Sequence, residues 1–320
     1  HMQDFSGKIA VITGGGTGMG RALARALIAE GCHVATCDVI DENLEETRRL
    51  CETEAPQGVR IATFRCDVAN EDEVDAFARG VAETFETEHI NLLFNNAGIG
   101  GGGSFVTASR DEWDRTFNIC WNGVYFMSRA FLPMLLASSE GHIINTSSVN
   151  GFRASLGGNI PHTSYSAAKF AVKGFTEALI NDFRFNAPHL KASVVMPGYV
   201  GTQIAKNTGK ILGHKTPLEM TDEELEEMRG RFVLMGNAGE DSTPDEIRQQ
   251  WHNSQENYEK GGLTPEQAAD IILSGVRNEE WRILVGPDAV ALDEAVRADP
   301  VNAYDLGFSE KVWASMQQES

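Results

Sequence analysis

Residues 8–20 do most to limit what this chain can fold into. Lys8-Ile9-Ala10-Val11-Ile12 is a short apolar run. It passes directly into Thr13-Gly14-Gly15-Gly16-Thr17-Gly18-Met19-Gly20 and then into an amphipathic stretch from Arg21 to Glu30. An apolar strand that breaks on glycines into a helix is the first half of a βαβ unit, whose strands pair in parallel and need cover on both faces. The glycines permit a tight turn and let backbone N–H groups approach a pyrophosphate at the helix N-terminus. Alone, such a turn serves equally well as a flexible strand-to-helix connection. Its place after the first strand is what turns the reading toward a nucleotide.

The same alternation runs through the first two-thirds of the chain. Strands are expected at 8–12, 32–37, 59–65, 90–94, 141–146 and 190–195, with helices at 18–30, 41–54, 70–86, 109–137 and 163–186. A further helix at 265–276 precedes a seventh strand at 282–285. Right-handed crossovers then give the α/β class: a doubly wound parallel sheet, or Rossmann fold, of about seven strands with helices on both faces. No internal repeat or low-complexity linker interrupts it, so residues 1–320 are expected to form one domain.

Residues 203–262 break the rhythm. They are polar, acidic and helix-prone, and Thr221 with Glu224 has the spacing of a capping box. An insertion after the carboxyl end of a strand is where a substrate lid would sit, although its acidic face also reads as plain solvated helix. The tail 287–320 mixes polar residues with Tyr304, Phe308 and Trp313, and is expected to pack on a neighbouring subunit.

A formal net charge of -19 argues against nucleic acid or anionic membrane as a partner. No apolar run approaches the length of a membrane span. His1-Met2 reads as an added pair, and no signal segment follows it. Cys32, Cys37, Cys51, Cys66 and Cys120 are odd in number and lack metal-ligand spacing. They read as reduced thiols of a cytoplasmic protein with no metal.

Ligands of such sheets bind at the carboxyl ends of the strands, and four candidate groups fall there. The first is the glycine turn, with Gly14, Thr17, Gly18, Met19 and Gly20. The second is Asp38-Val39, 18 residues past Gly20. A carboxylate there accepts hydrogen bonds from a ribose 2′-OH and repels a 2′-phosphate. No Arg or Lys lies in 36–44, which favours NAD over NADP. Asp38 is also compatible with an ordinary turn or helix cap. The third is Asp67-Val68, where the carboxylate either caps the next helix or contacts the adenine. The fourth is Asn95-Asn96-Ala97-Gly98, whose amides can tie strand ends while Ala97 and Gly98 leave room for a cofactor.

Tyr165 and Lys169 stand four apart on an expected helix, hence on one face. An ammonium beside a phenol favours the phenolate and lowers its pKa. A phenol so tuned can exchange a proton near neutral pH.

Together these residues resemble the short-chain dehydrogenase/reductase family, from about residue 6 to 202 and again over 263–286. The motifs are Thr13-Gly14-x-x-x-Gly18-x-Gly20, Asp67, Asn95-Asn96-Ala97-Gly98, Ser148, Tyr165-x-x-x-Lys169 and Pro197-Gly198-x-Val200-x-Thr202. The resemblance implies Tyr165 as general acid/base and Ser148 as the hydrogen-bonding partner of the substrate oxygen. Lys169 would contact the nicotinamide ribose and tune Tyr165, while Pro197, Gly198, Val200 and Thr202 would hold the nicotinamide end. It also implies a homotetramer. Long helices with apolar faces fit that, carrying Phe126, Phe131, Leu132 and Leu135 on one and Phe170, Phe175 and Leu179 on another.

The stretch from Ser148 to Tyr165 is longer than the family's usual loop. It carries Asn150, Phe152, Gly157-Gly158, Ile160 and His162. Asn150, Phe152 and Tyr199 are expected beside the substrate together with Ser148, and Ile160 and Ile204 add to an apolar pocket. His162 is either a loop residue or a second proton carrier. Cys120 occupies the place where the family usually has an Asn that holds a water for a proton relay. The relay is then left to the backbone carbonyl of Cys120, or to Asn122 if the helix is distorted. The expected activity is NAD(H)-dependent interconversion of a secondary alcohol and a ketone, on a bulky apolar substrate. A nucleotide-binding regulatory protein without turnover, or a dehydratase, epimerase or imine reductase on the same scaffold, stay open as alternatives.

Overall fold

Each strand of this chain splits its side chains between two cores, and that split builds the molecule. The computed structural model describes residues 2–155, 161–234 and 236–318. In β1 (Ile9–Thr13), Ala10 and Ile12 face Leu23, Leu27 and Ile28 of α1 (Gly18–Ala29) and Ile272 and Leu273 of α10 (Pro265–Arg277). Ile9 and Val11 point the other way, toward Val74 and Phe77 of α3 (Glu71–Thr84) and Met127 and Phe131 of α5 (Gly123–Leu136). Successive side chains of a strand alternate faces, so an unbroken apolar run buries on both sides.

The remaining strands are β2 (His33–Asp38), β3 (Ile61–Arg65), β4 (Leu92–Asn95), β5 (Gly141–Thr146), β6 (Leu190–Pro197) and β7 (Arg282–Val285). All pair in parallel, in the order β3-β2-β1-β4-β5-β6-β7. The chain winds outward from β1 to β3, then returns to lay β4 on the other side of β1. The strand order reverses at that seam, and a crevice opens beyond its carboxyl ends. The expected doubly wound α/β sheet is therefore present, with strand limits within two residues of the expected ones.

The helices include α2 (Asp41–Glu54), α4 (Arg110–Phe117) and α6 (Thr163–Asn186). The single long helix expected at 109–137 is divided: a π-turn at Asn118–Asn122 separates α4 from α5. The insertion folds as α7 (Ile204–Leu212), α8 (Asp222–Leu234) and α9 (Pro244–Lys260), around a small core of Leu225, Phe232, Ala238 and Ile247. The capping box at Thr221 is formed, since Glu224 N–H donates to Thr221 Oγ1 at 3.2 Å and Thr221 N–H to Glu224 Oε1 at 3.3 Å.

The tail differs from expectation. It forms α11 (Pro287–Ala298) and α12 (Phe308–Gln318) and packs on its own chain. Val149, Ala289, Leu292 and Val312 are buried together, with Phe308 and Trp313 packed against them. The tail thus covers part of its own apolar surface, while Val301, Tyr304 and Leu306 stay exposed. Phe131 and Leu135, expected on an uncovered helix face, are likewise fully buried against the sheet. Phe170 remains 44% exposed.

The five cysteines are unpaired and buried. No described helix is long and apolar enough to cross a membrane.

Candidate active site

Two cavities meet over the seam between β1 and β4. The smaller, about 140 Å³, has the glycine turn on one side and Asp38, Asp67 and Val68 on the other. The larger, about 330 Å³, contains Ser148, Tyr165 and Lys169. Met19, Asn96, Gly98, Thr202 and Ile204 belong to both.

The glycine turn is shaped for close approach. Gly14 has φ +68°, and a Cβ there would stand 2.9 Å from Ala97 Cα. Gly20 does not line a cavity. It brings α1 against the turn, where a Cβ would stand 2.2 Å from the Gly14 carbonyl oxygen. The first turn of α1 has no side-chain cap and no acidic residue. Its N–H groups and the helix dipole thus suit an anion.

Asp38 is held by backbone donors: Gly16 N–H to Oδ2 at 2.9 Å and Val39 N–H to Oδ1 at 2.7 Å. Its carboxylate therefore has a fixed direction at the end of β2. Asp67 does not cap α3, and its two carboxylate oxygens have separate partners. Oδ1 accepts from Ala69 N–H at 3.0 Å in the turn before α3, while Oδ2 pairs with Arg115 at 2.9 Å. The helix cap itself is Asn70. Arg115, from α4, also borders the smaller cavity, and no motif in the sequence singles it out.

Asn95 ties strand ends, as its amide was expected to, and lines neither cavity. Its Nδ2 donates to Asn145 Oδ1 at 2.9 Å and to Ser128 Oγ at 3.2 Å, tying β4 to β5 and α5 beneath the cavities. The neighbouring Asn96 faces the cavities instead, anchored by its N–H to Thr13 Oγ1 at 3.0 Å. Adjacent strand residues point to opposite faces, so the choice of one over the other reverses the role.

Ser148, Tyr165 and Lys169 converge from two elements. Ser148 lies after β5 and caps a 3₁₀ turn at Val149–Gly151, accepting from Asn150 N–H at 3.1 Å. Tyr165 and Lys169 lie one turn apart on α6. The Ser148 hydroxyl shares the larger cavity with the Tyr165 phenol and donates to Asn150 Oδ1 at 3.3 Å. Lys169 is 3% exposed, donates to the Thr146 carbonyl at 3.0 Å, and stands over the Tyr165 ring, 5.4 Å from its centroid.

Burial pushes the Tyr165 phenol well up, and the nearby Cys120 adds to this, while the Ser148 hydroxyl acts the other way. Burial pushes the Lys169 ammonium down. The expected lowering of the phenol is thus not what these groups produce between them. Both lose hydration, and that outweighs an ammonium aimed at a carbonyl and a ring face.

Cys120 is fully buried in the π-turn, and its thiol donates to the Ile99 carbonyl at 3.3 Å. Asn122 lies at the end of the same π-turn and lines neither cavity. Its amide bonds Asn118 Oδ1 at 2.9 Å, on another side of the helix.

Of the expected substrate neighbours, Tyr199 and Asn150 border the larger cavity. The Asn150 amide is already committed to Ser166 Oγ at 3.1 Å and to the Ser148 hydroxyl at 3.3 Å. Phe152 packs with Val149 against α11 and α12 rather than on the cavity. Side chains three apart in a 3₁₀ turn lie above one another, which puts Phe152 on the side of Val149 that meets the tail. His162 precedes α6, with its ring against that of Tyr165 at 6.0 Å and its pKa lowered by burial. Ile160 and Gly157-Gly158 fall outside the described residues.

Pro197, Gly198 and Val200 line the larger cavity beside Thr202. Above them the insertion closes in: Asn207 of α7 donates to Thr17 Oγ1 at 3.0 Å. Tyr258 of α9 and Trp313 of α12 complete the wall. Neither lies in a recognisable motif.

The chain matches the short chain dehydrogenase family over residues 8–212. It is 33% identical over 296 residues to the "Putative oxidoreductase SadH" of Mycobacterium tuberculosis, covering 92% of each chain. Among solved structures, a short chain dehydrogenase/reductase from Burkholderia phymatum in complex with NAD superposes with a TM-score of 0.72. It is 28% identical, with 93% of this chain and 95% of that one covered. A metagenomic short-chain oxidoreductase in complex with NADP gives a TM-score of 0.54 at 30% identity, covering 65% of this chain and 90% of the other.

Proposed function

From the premise that this chain belongs to the short-chain dehydrogenase family, we propose that it is an NAD(H)-dependent oxidoreductase interconverting a secondary alcohol and a ketone. The observation that carries the reading is the convergence of Ser148, Tyr165 and the buried Lys169 on one cavity. A carbonyl oxygen placed between the two hydroxyls receives two donors. The Ser148 hydroxyl steadies the charge that develops on that oxygen. Tyr165 Oη gives the proton during reduction and takes it back during oxidation. Lys169 keeps a positive charge near the phenol and, through Thr146, holds α6 against the end of β5.

The residues of the two cavities together fit a nicotinamide dinucleotide, which when bound would supply or accept the hydride. The glycine turn and first turn of α1 would take the pyrophosphate, Asp38 the adenosine ribose, and Pro197, Gly198, Val200 and Thr202 the nicotinamide end. The carboxylate of Asp38, fixed by the N–H groups of Gly16 and Val39, favours a free 2′-hydroxyl over a 2′-phosphate. We read 1–320 as a single domain with 203–262 as its lid. A tetramer joined partly through the exposed ring of Phe170 fits the apolar surface of α6.

The test is direct. The protein is incubated with NAD or NADP and a panel of cyclic and aromatic secondary alcohols, and reduced cofactor is followed by absorbance; the reverse direction uses the matching ketones. Turnover of at least one pair supports the reading. Tight cofactor binding with no turnover of any alcohol or ketone would overturn it.

A further inference from the structure

The turn that carries Ser148 is fastened to the far end of the chain. Arg153 is 4% exposed. Its Nε donates to the Ala303 carbonyl at 2.8 Å, and its guanidinium lies over the rings of Tyr304, at 5.5 Å, and Phe308, at 5.3 Å. One residue on, Ala154 N–H donates to Tyr304 Oη at 2.7 Å. A guanidinium between two aromatic faces, with a backbone acceptor in its plane, is a stiff joint. The joint stands at the start of α12, and Val312 and Phe308 continue it into the small core around Val149.

One turn beyond Phe308, Trp313 reaches the cavity that holds Ser148 and Tyr165. The same cavity is lined by Tyr199 and Tyr258, whose rings meet at 5.0 Å and 42°. Asp288 also borders the cavity. Its charge is engaged by the N–H groups of Tyr199 and Ala289, at 2.7 and 2.9 Å, so it holds Tyr199 in place rather than presenting a free anion. The non-reacting part of the cavity thus has three large aromatic side chains from three separate segments. Such walls favour a flat, apolar ring system, through burial and through face and edge contacts.

We propose that the tail is this chain's specificity wall: Trp313 contacts the flat ring of an aromatic or polycyclic ketone or alcohol, and Arg153 is the positioning residue that holds Trp313 there. The reacting oxygen at Ser148 and Tyr165 rests on the proposed function, but the wall does not. It predicts binding of a flat aromatic molecule whether or not the molecule is turned over.

Equilibrium binding of 2-naphthol, read by its own fluorescence, tests the wall without chemistry. Trp313→Ala is expected to weaken binding at least tenfold and Trp313→Phe to restore most of it. Arg153→Met, which keeps the stem but loses the donor and the stacked cation, is expected to weaken binding about as much as Trp313→Ala. The dissociation constant for NADH, measured on each variant, reports that the fold and the cofactor cavity persist. In turnover, Trp313→Ala is expected to lower the ratio of kcat/KM for 2-tetralone over cyclohexanone by tenfold or more, mostly through KM for 2-tetralone. Unchanged 2-naphthol binding in Trp313→Ala overturns the wall, and unchanged binding in Arg153→Met with a loss in Trp313→Ala overturns the positioning role. Should 2-naphthol binding follow these expectations while no ketone is reduced, the wall stands and the proposed reaction falls.

Discussion

Lys169 Nζ stands over the ring of Tyr165 and spends its hydrogen bond on the carbonyl of Thr146, so the two groups share a helix face without forming a phenol–ammonium bond. The Ser148 hydroxyl borders the same cavity as the phenol. Replacing Tyr165 by Phe keeps the ring beneath Lys169 and removes only the proton carrier. Turnover is expected to fall by on the order of 10²–10⁴-fold, with the dissociation constant for NADH little changed. Lys169→Ala is expected to lower turnover and to raise the dissociation constant for NADH, because the ammonium also braces α6 against β5. Steady-state kinetics with cofactor titration by fluorescence separates the two outcomes. Most of the activity surviving in Tyr165→Phe would remove Tyr165 from the mechanism.

The direction of the Tyr165 shift fixes a sign for the pH dependence. A phenol pushed up by burial keeps its proton throughout the neutral range. Ketone reduction, which needs that proton, is expected to be flat across neutral pH. Alcohol oxidation, which needs it gone, is expected to rise as pH increases. An oxidation rate already level below neutral pH would mean that the phenol is lowered, not raised.

Asp38 offers a test of cofactor choice. Asp38→Ala removes the carboxylate that a 2′-phosphate would meet, and the preference for NAD over NADP is expected to fall about tenfold, or ~1.4 kcal/mol. Equal catalytic efficiency of the unaltered protein with both cofactors would contradict the role given to this residue.

His142 sits fully inside the sheet, its Nε2 within 2.7 Å of Ser193 Oγ, and burial lowers its pKa from 6.5 to about 3. The folded chain therefore holds this imidazole neutral, whereas the unfolded chain protonates it below 6.5. Its contribution to stability is fully present above 6.5 and is lost as pH falls from there toward about 3. His142→Gln keeps a polar partner for Ser193 without the titration. Thermal melts of both proteins from pH 7 to pH 4 are expected to show the steeper decline in the unaltered chain. Parallel declines would show that acid sensitivity arises elsewhere.

The insertion has only a small core of its own, around Leu225 and Ile247. Segments with few buried apolar contacts open at low cost. Hydrogen exchange of residues 203–234 is expected to slow markedly when NAD and a substrate are added together. Strong protection that is the same with and without them would make this segment a fixed wall.

Much of this was legible in the sequence, for identifiable reasons. Parallel strands buried on both faces leave continuous apolar runs, and Ile143-Ile144 or Val194-Val195-Met196 cannot be mistaken for solvent-facing segments. The glycine turn and the Tyr165/Lys169 spacing are local, so they survive without knowledge of the fold. What was missed is non-local or below the resolution of a pattern. Asn95 and Asn96 differ by one position on a strand, and that one step decides between tying strands and facing a cavity. The π-turn at Asn118–Asn122 adds one residue to a helical turn, which apolar spacing over so short a stretch does not register. Tyr258 and Trp313 reach the cavity from segments that carry no motif, because walls are made by packing and not by spacing. Phe152, close to Ser148 in sequence, was drawn to the site by proximity alone.

The hydrogen bond from Asn207 to Thr17 joins the first helix of the insertion to the turn that opens α1. Ile204, at the start of that helix, borders both cavities at once. If α7 must swing clear for a dinucleotide to pass, the cofactor is expected to enter first and depart last. Product-inhibition patterns should then be competitive only between the oxidised and reduced cofactors. Asn207→Ala, by loosening the latch, should speed cofactor exchange ahead of any change in the chemistry.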